Sequence, residues 1–336
     1  MSGVKLGRQP YIGVGIESTP GTAVAAVKYL PFVTCTIKGV QTPIADESAK
    51  GVRDKNWGAI TGQKHGEGDL EIYVDAENAA YLLYAAMGSI STTAASGETT
   101  VWTHTITRKA SNPPKTLTVI YNDSQDTRKY AYATINTLEL NVSDGLASIS
   151  ANILSKFPAS GTATSAITEE RILAFKDYTI KFGSGATGTA ALAAAVSATA
   201  TPVSSFTLKI NNNAEVQYLS GSNDAAQISI GEFEVEGDYV LFFESTADRV
   251  HYETMLSGAG GTDLVRAMII TFTGSAIGSA EYEEIEIRIP NFYLKERSVD
   301  TAVAGFLTEN PSFIAMYDPT EAKTIQIKIT NTENAY

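Results

Sequence analysis

Acidic side chains recur at every second position in three short stretches: Asp69 and Glu71; Glu232, Glu234 and Glu236; Glu284 and Glu286. Two carboxyl groups held close in distinct environments can cleave a glycosidic bond, and several together can hold calcium. Calcium loops need a tight Asp/Asn/Gly spacing that these stretches lack. A spacing of two instead sets each group along one face of an extended strand, so the expectation is a solvated acidic strand face.

The other reactive residue types are equally dispersed. His65 lies in a Gly-rich stretch, His104 in an aromatic strand segment and His251 in a helix-like segment, none with a metal-ligating partner at a suitable spacing. Gly183-Ser-Gly-Ala-Thr-Gly188 lacks the Lys and the strand–loop–helix setting of a phosphate-binding loop. Cys35, alone in the chain, can form no intramolecular disulfide and is expected to pack as a small apolar residue. The expectation is a protein that is not an enzyme, with no catalytic, cofactor-binding or metal-binding residues and no cofactor.

Charge excludes a second class. Lys and Arg number 25 against 37 Asp and Glu, a net charge of −12, which disfavours a surface that grips phosphates. Arg53, Lys55 and Lys64, or Arg108 and Lys109, are too sparse to form a basic stripe. No run approaches the roughly 18 apolar residues that span a bilayer, and Met1 to Pro10 has no export pattern, so folding in a cytoplasm without a membrane anchor is expected.

The elements that must carry these residues are mainly strands. Alternating or β-branched runs include Asp69 to Asp75, Thr116 to Tyr121, Ile135 to Val142, Ala147 to Leu154, Phe206 to Ile210, Gly237 to Phe243, Met268 to Phe272 and Glu284 to Ile289. Two segments read as helices, each following a strand that opens with Gly-Asp. The first runs from the cap Asp75 to the stop Gly88, with Leu82, Leu83, Ala86 and Met87 on one face. The second has Ser245 and Asp248 spaced as a capping box and stops at Gly258.

A Thr-apolar-Lys strand precedes each unit, at Thr36-Ile-Lys38 and Thr207-Leu-Lys209. These lie 171 residues apart, against 169 for the Gly-Asp pairs. The matched spacing predicts an internal duplication. The expected organisation is an extended arm at 1–28, a first β domain at 29–158, a linker at 159–168 and a second β domain at 169–336 with a long low-complexity loop at 183–202. That loop, rich in Ala, Gly and Thr, is expected to form no core of its own.

The opening Gly13-Val-Gly-Ile-Glu-Ser-Thr-Pro-Gly-Thr-Ala-Val24, then Tyr29-Leu-Pro-Phe32, then an acidic strand and a short helix ending at Gly88, closely resembles phage tail tube proteins. Asn211-Asn-Asn213, Glu234-Val-Glu-Gly237 and Ile287-Arg-Ile-Pro-Asn291 carry the resemblance into the second half, with the weakest coverage from Ala159 to Pro202.

The resemblance implies a β-sandwich or barrel-like tube domain with a short flanking helix, and the apparent internal duplication makes the expected fold a mainly β chain of two such domains. Such a chain is a virion protein of the tail, made and assembled in the bacterial host cytoplasm. Its first partner is itself, in rings that stack into a hollow conduit for DNA ejection. Other tail proteins such as the tape measure, terminator and tip are further partners, and DNA passes only transiently.

Two tube domains per chain favour homotrimeric, pseudo-hexameric rings, with six-chain rings as the alternative. The lumen candidates are then Asp69, Glu71, Glu232, Glu234, Glu236, Glu284 and Glu286. The arm and the long loop are expected to order on neighbouring subunits, with Gly13, Glu17, Thr19, Gly21, Gly183, Gly188 and Pro202 as candidate inter-subunit residues. The competing reading is a non-catalytic adhesive β-sandwich protein.

Overall fold

The computed structural model describes residues 6–95, 97–143, 145–242, 265–300 and 307–336. The alternating segments form strands, as expected. The first half holds β1 (Tyr11–Ile16), β2 (Lys28–Leu30), β3 (Thr34–Cys35), β4 (Lys38–Asp46), β5 (Gly58–Tyr73), β6 (Gly88–Ala94), β7 (Trp102–Arg108), β8 (Leu117–Asn122), β9 (Thr127–Val142), β10 (Ser148–Ser155) and β11 (Ala159–Ser160). The second holds β12 (Tyr178–Gly185), β13 (Val203–Asn211), β14 (Glu215–Tyr218), β15 (Ala225–Ser229), β16 (Glu234–Phe242), β17 (Val265–Ala276), β18 (Tyr282–Asp300), β19 (Thr308–Ala315) and β20 (Gln326–Asn331). Helix α1 (Asn78–Met87) joins β5 to β6, and α2 (Gly188–Ser197) lies between β12 and β13. The chain is mainly β with antiparallel sheets, as the sequence predicts.

Five antiparallel ladders recur in the same order in both halves. In the first, β1 pairs with β8, β8 with β9, β9 with β10, β10 with β5, and β5 with β3 and β4. In the second, β12 pairs with β17, β17 with β18, β18 with β19, β19 with β16, and β16 with β13.

The registers also match. Thr34 faces Glu71 and Lys38 faces Glu67, as Ser205 faces Val240 and Lys209 faces Glu236. Asn152 faces Asp69 as Ser312 faces Asp238. Two irregularities recur as well. Asn136 is the extra residue between Ile135, opposite Ile153, and Thr137, opposite Asn152. Lys295 is the extra residue between Leu294, opposite Phe313, and Glu296, opposite Ser312. The step from Leu117 to Val119 likewise matches that from Arg266 to Met268. A one-residue slip would turn every side chain to the opposite face, so shared registers and shared bulges mean that both halves bury the same rungs.

Among the described residues the halves join through two ladders, β9 with β13 and β7 with β20. One core cluster draws on both, from Ile12 and Leu70 to Phe313 and Ile329. Helix α1 is buried along its whole length. Asp75 Oδ1 accepts from the backbone N–H of Glu77 and Asn78, and Gly88 closes the helix in the left-handed conformation. Asn212 of the second half donates through Nδ2 to Ala86 O at 2.9 Å and Ile135 O at 3.0 Å, so a side chain from the other half satisfies an end carbonyl of α1.

Two expectations need correction, and a third lies out of view. The expected extended arm at 1–28 is, over its described part from residue 6, tied into the sheet: β1 is an inner strand between β2 and β8, with Ile12 and Val14 fully buried. The segment 183–202 carries α2, which packs Ala191, Leu192 and Ala195 on Ala267 and Ile269. Its lack of large residues allows a close approach to the sheet, and Ala is the best helix former. Thr187 caps it by accepting from Ala190 N–H. The helix expected between Ser245 and Gly258 lies outside the described residues.

Candidate functional site

Ladder by ladder, β4, β5, β10, β9, β13, β16, β19 and the C-terminal part of β18 form one continuous run that crosses from the first half into the second. From the C-terminal half of β5 through β19, one face of this run is apolar and buried, with Leu70, Ile72, Leu138, Leu140, Leu208, Ile210 and Phe313. Alternation therefore puts the polar residues together on the other face.

That face reads rung by rung. Glu71, Ser150, Glu139, Lys209 and Glu236 are successive partners across five strands. Asn141, Thr207, Asp238, Ser312 and Glu296 form the next rung, and Asp69, Asn152, Thr137, Asn211 and Glu234 a third. Lys209 is the only cation on these rungs. It stands 3.7 Å from Glu236 Oε1 with both side chains well exposed, a pair worth little in stability. A shallow groove of about 470 Å³ runs over this face, lined by Glu139, Lys209, Glu236, Asp238, Lys295 and Glu296 among others.

Local hydrogen bonds hold the acids in place. Asn152 Nδ2 donates to Asp69 Oδ1 at 2.8 Å, and Thr34 Oγ1 donates to Glu71 Oε2 at 3.2 Å. Burial pushes the Asp238 carboxyl above its usual range, partly offset by a hydrogen bond from Thr207. The face is a field of fixed and mostly solvated negative charge, without the close pair of contrasting carboxyls that acid–base catalysis uses.

Of the acids singled out from sequence, Asp69, Glu71, Glu234 and Glu236 share this face. Glu232 lies in the exposed connection just before β16. Glu284 and Glu286 sit on the N-terminal part of β18, between β17 and β20, away from these rungs. Burial and the neighbouring Glu286 raise the Glu284 carboxyl, while Glu286 accepts from Arg288 Nε at 2.6 Å. Sequence reading missed Glu139, Asp238 and Glu296 as members of the face. Their alternation was visible, but which half-strands adjoin was not.

The candidate inter-subunit residues are mostly engaged within the chain. Gly13 packs beneath Ala26 and Tyr29, and Gly21 beside Tyr132 and Lys156. Glu17, 1% exposed, accepts from Gly21 N, Thr116 Oγ1, Thr118 Oγ1 and Tyr132 N. Gly183 backs onto α2, and Gly188 N donates to Asp318 Oδ2. Thr19 and Pro202 are exposed.

The histidines hold structural positions where they are described. His65 Nδ1 pairs with Tyr218 OH at 2.9 Å, and buried His104 lies between Thr92, Asn331 and Glu333 O. His251 is outside the described residues. Burial pushes the Cys35 thiol up to about 11, which leaves it a poor nucleophile. Among the described residues no group of three His, Cys, Asp or Glu could hold a metal ion, and no helix is long and apolar enough to cross a membrane.

No curated protein matches the chain. The family model described as phage tail tube protein matches residues 7–320, which takes in both sets of ladders and the whole acidic face. The chain therefore belongs to the phage tail tube protein family, whose members are structural components of the phage tail.

Proposed function

We propose that the chain polymerises into stacked rings that form the hollow conduit for DNA ejection, with the acidic strand face turned to the lumen. The observation that carries this reading is the continuous strand run with polar residues gathered on one face and the core on the other. A lining of carboxylates repels the phosphate backbone, so DNA meets no adhesive site and slides. Burial of the opposite face supplies the stiff wall.

Each chain contributes two matching units, which arose by duplication, so three chains close a ring with true threefold and approximate sixfold symmetry. Tape measure, terminator and tip proteins engage the tube at its core and ends, and the exposed Thr19 and Pro202 belong to surfaces that meet neighbouring subunits. Assembly takes place in the host cytoplasm, and the tube performs no catalysis.

Electron microscopy of the purified protein, with mass measurement of isolated rings, tests the proposal. Rings or tubes with three chains per ring are the expected result. A chain that stays monomeric at high concentration overturns the conduit, and six chains per ring overturns the threefold count.

A further inference from the structure

Along the continuous run, the two units are spliced by the β9–β13 ladder: Phe206 faces Val142, Leu208 faces Leu140, Lys209 faces Glu139 and Asn211 faces Thr137. This joins the outer edge of β13 to the C-terminal half of β9. The matched registers identify the equivalent edges at the two ends of the run. The counterpart of β13 is the stretch through β3 and the start of β4, and the counterpart of the C-terminal half of β9 is the C-terminal part of β18.

Among the described residues neither edge has a strand partner. β3 and β4 pair only with β5, and β18 beyond Phe292 pairs only with β19. Thr34, Thr36 and Lys38 on one edge, and Lys295, Glu296 and Ser298 on the other, are exposed. Two open edges of complementary origin, one at each end of a run already spliced once by the same contact, form a heterologous, self-propagating interface.

We infer that a second copy of this chain pairs its β3–β4 edge with the β18 edge in the register of the internal ladder. Ile37 then faces Val299, Lys38 faces Ser298, Gly39 faces Arg297 and Val40 faces Glu296. The inference rests on the ring reading above and names its seam. Lys38 lands diagonal to Glu296, within reach across an antiparallel pair.

A second observation comes from the connections between equivalent strands. The excursion from β13 to β16 forms the β14–β15 hairpin, which leans back onto the first unit: Asn223 O accepts from Lys64 N at 2.8 Å, Asn223 Nδ2 donates to Thr61 O at 2.9 Å, and Tyr218 OH meets His65. The matching excursion of the first unit, the tip of the β4–β5 hairpin, has no unit before it to lean on among the described residues. It exposes Ile44, Trp57 and Ile60, with Ile60 69% exposed. The same geometry carried across the seam sets this tip on the second unit of the neighbouring copy.

Paired cysteines test the register. On a Cys35→Ser or Cys35→Ala background that still assembles, Lys38→Cys with Ser298→Cys is oxidised in assembled rings. Lys209→Cys with Glu139→Cys, the internal counterpart, serves as the geometric control and should close within one chain. The slipped pair Gln41→Cys with Ser298→Cys sets the background. The in-register pair is expected to give roughly tenfold more linked chains than the slipped pair, whose Cα atoms fall beyond the ~7 Å reach of a disulfide. If rings form and the internal control closes while the in-register pair stays unlinked or links no better than the slipped one, the seam is wrong and the ring stands. A wild-type chain that forms no rings overturns the ring reading and the seam with it.

Discussion

Gly15 and Gly183 occupy the same rung of two matching ladders, Gly15 opposite Thr118 and Gly183 opposite Ala267. Each is covered by a crossing backbone that leaves no room for a Cβ: a methyl group at Gly15 would collide with Ala25 O, and one at Gly183 with Ala191 O and Ala195 N. The segment after β1 and helix α2 thus do the same job in the two units with different conformations. Gly15→Ala and Gly183→Ala should each destabilise the subunit by about 1–3 kcal/mol, as overpacking does, whereas Gly58→Ala, which meets open space, should stay within about 0.5 kcal/mol. Urea midpoints at unchanged slope check this.

Helix α2 holds to its own sheet through Leu192, Ala191 and Ala195. Leu192→Ala should therefore cost roughly 2 kcal/mol or more in the isolated subunit. Deleting 183–202 should expose Ala267 and Ile269 and lower the melting temperature of unassembled protein. A deletion variant as stable as the parent would mean that the helix contributes nothing to the subunit.

Glu17 gathers four donors at a buried point, two of them backbone groups at 2.7 Å (Gly21 N) and 2.9 Å (Tyr132 N). Glu17→Ala strands these donors without water, an expected loss of about 3–5 kcal/mol. Glu17→Gln keeps an acceptor and should lose less. Equal melting temperatures for the two variants would refute the accounting.

Lys28 Nζ lies 2.7 Å from Glu77, 3.2 Å from Glu333 and 3.5 Å from Glu170. Burial and its neighbour Glu77 push the Glu170 carboxyl up to about 7 from its ordinary 4.5, despite the attraction of Lys28. Glu77 is held below its usual range by Lys28 and Thr332 although burial opposes this. A carboxyl raised on folding binds its proton more tightly in the folded state. Its contribution to stability is thus present below pH 4.5 and lost as pH rises to about 7. Glu170→Gln removes that titration, so its melting temperature relative to wild type should climb between about pH 4.5 and 7 and then level off. A difference independent of pH would be the contrary result.

Charge reversal on the acidic face tests the lumen. Glu139→Lys with Glu236→Lys should leave folding unchanged, since both side chains lie on the polar face. In assembled tails it should slow DNA release at low salt, with recovery as salt rises. Release rates identical to wild type at low salt would take this face out of the lumen.

Much of the architecture follows from local rules that the sequence already displays. Alternation at Asp69-Leu-Glu71 and Glu234-Val-Glu236 determined which residues share a strand face, and Asp75 with Gly88 bounded α1. The spacings of Thr36 to Thr207 and Asp69 to Asp238 were legible because a shared register preserves spacing. Side-chain period and capping depend on near neighbours alone, so these features needed no knowledge of the fold.

Only the tertiary structure decided the rest. Whether Ala191 and Ala195 form a helix depends on Gly183 and Ala267 leaving space for it, a long-range condition invisible in an Ala-rich run. Whether Tyr11 to Ile16 is an arm or an inner strand depends on β8, more than a hundred residues away in sequence. Glu139 joins Lys209 and Glu236 on one rung because β9 and β13 pair there, while Glu284 and Glu286, equally alternating, fall on another part of the sheet. Strand partners are chosen by burial of the whole layer, and a strand's own residues specify only which face it buries.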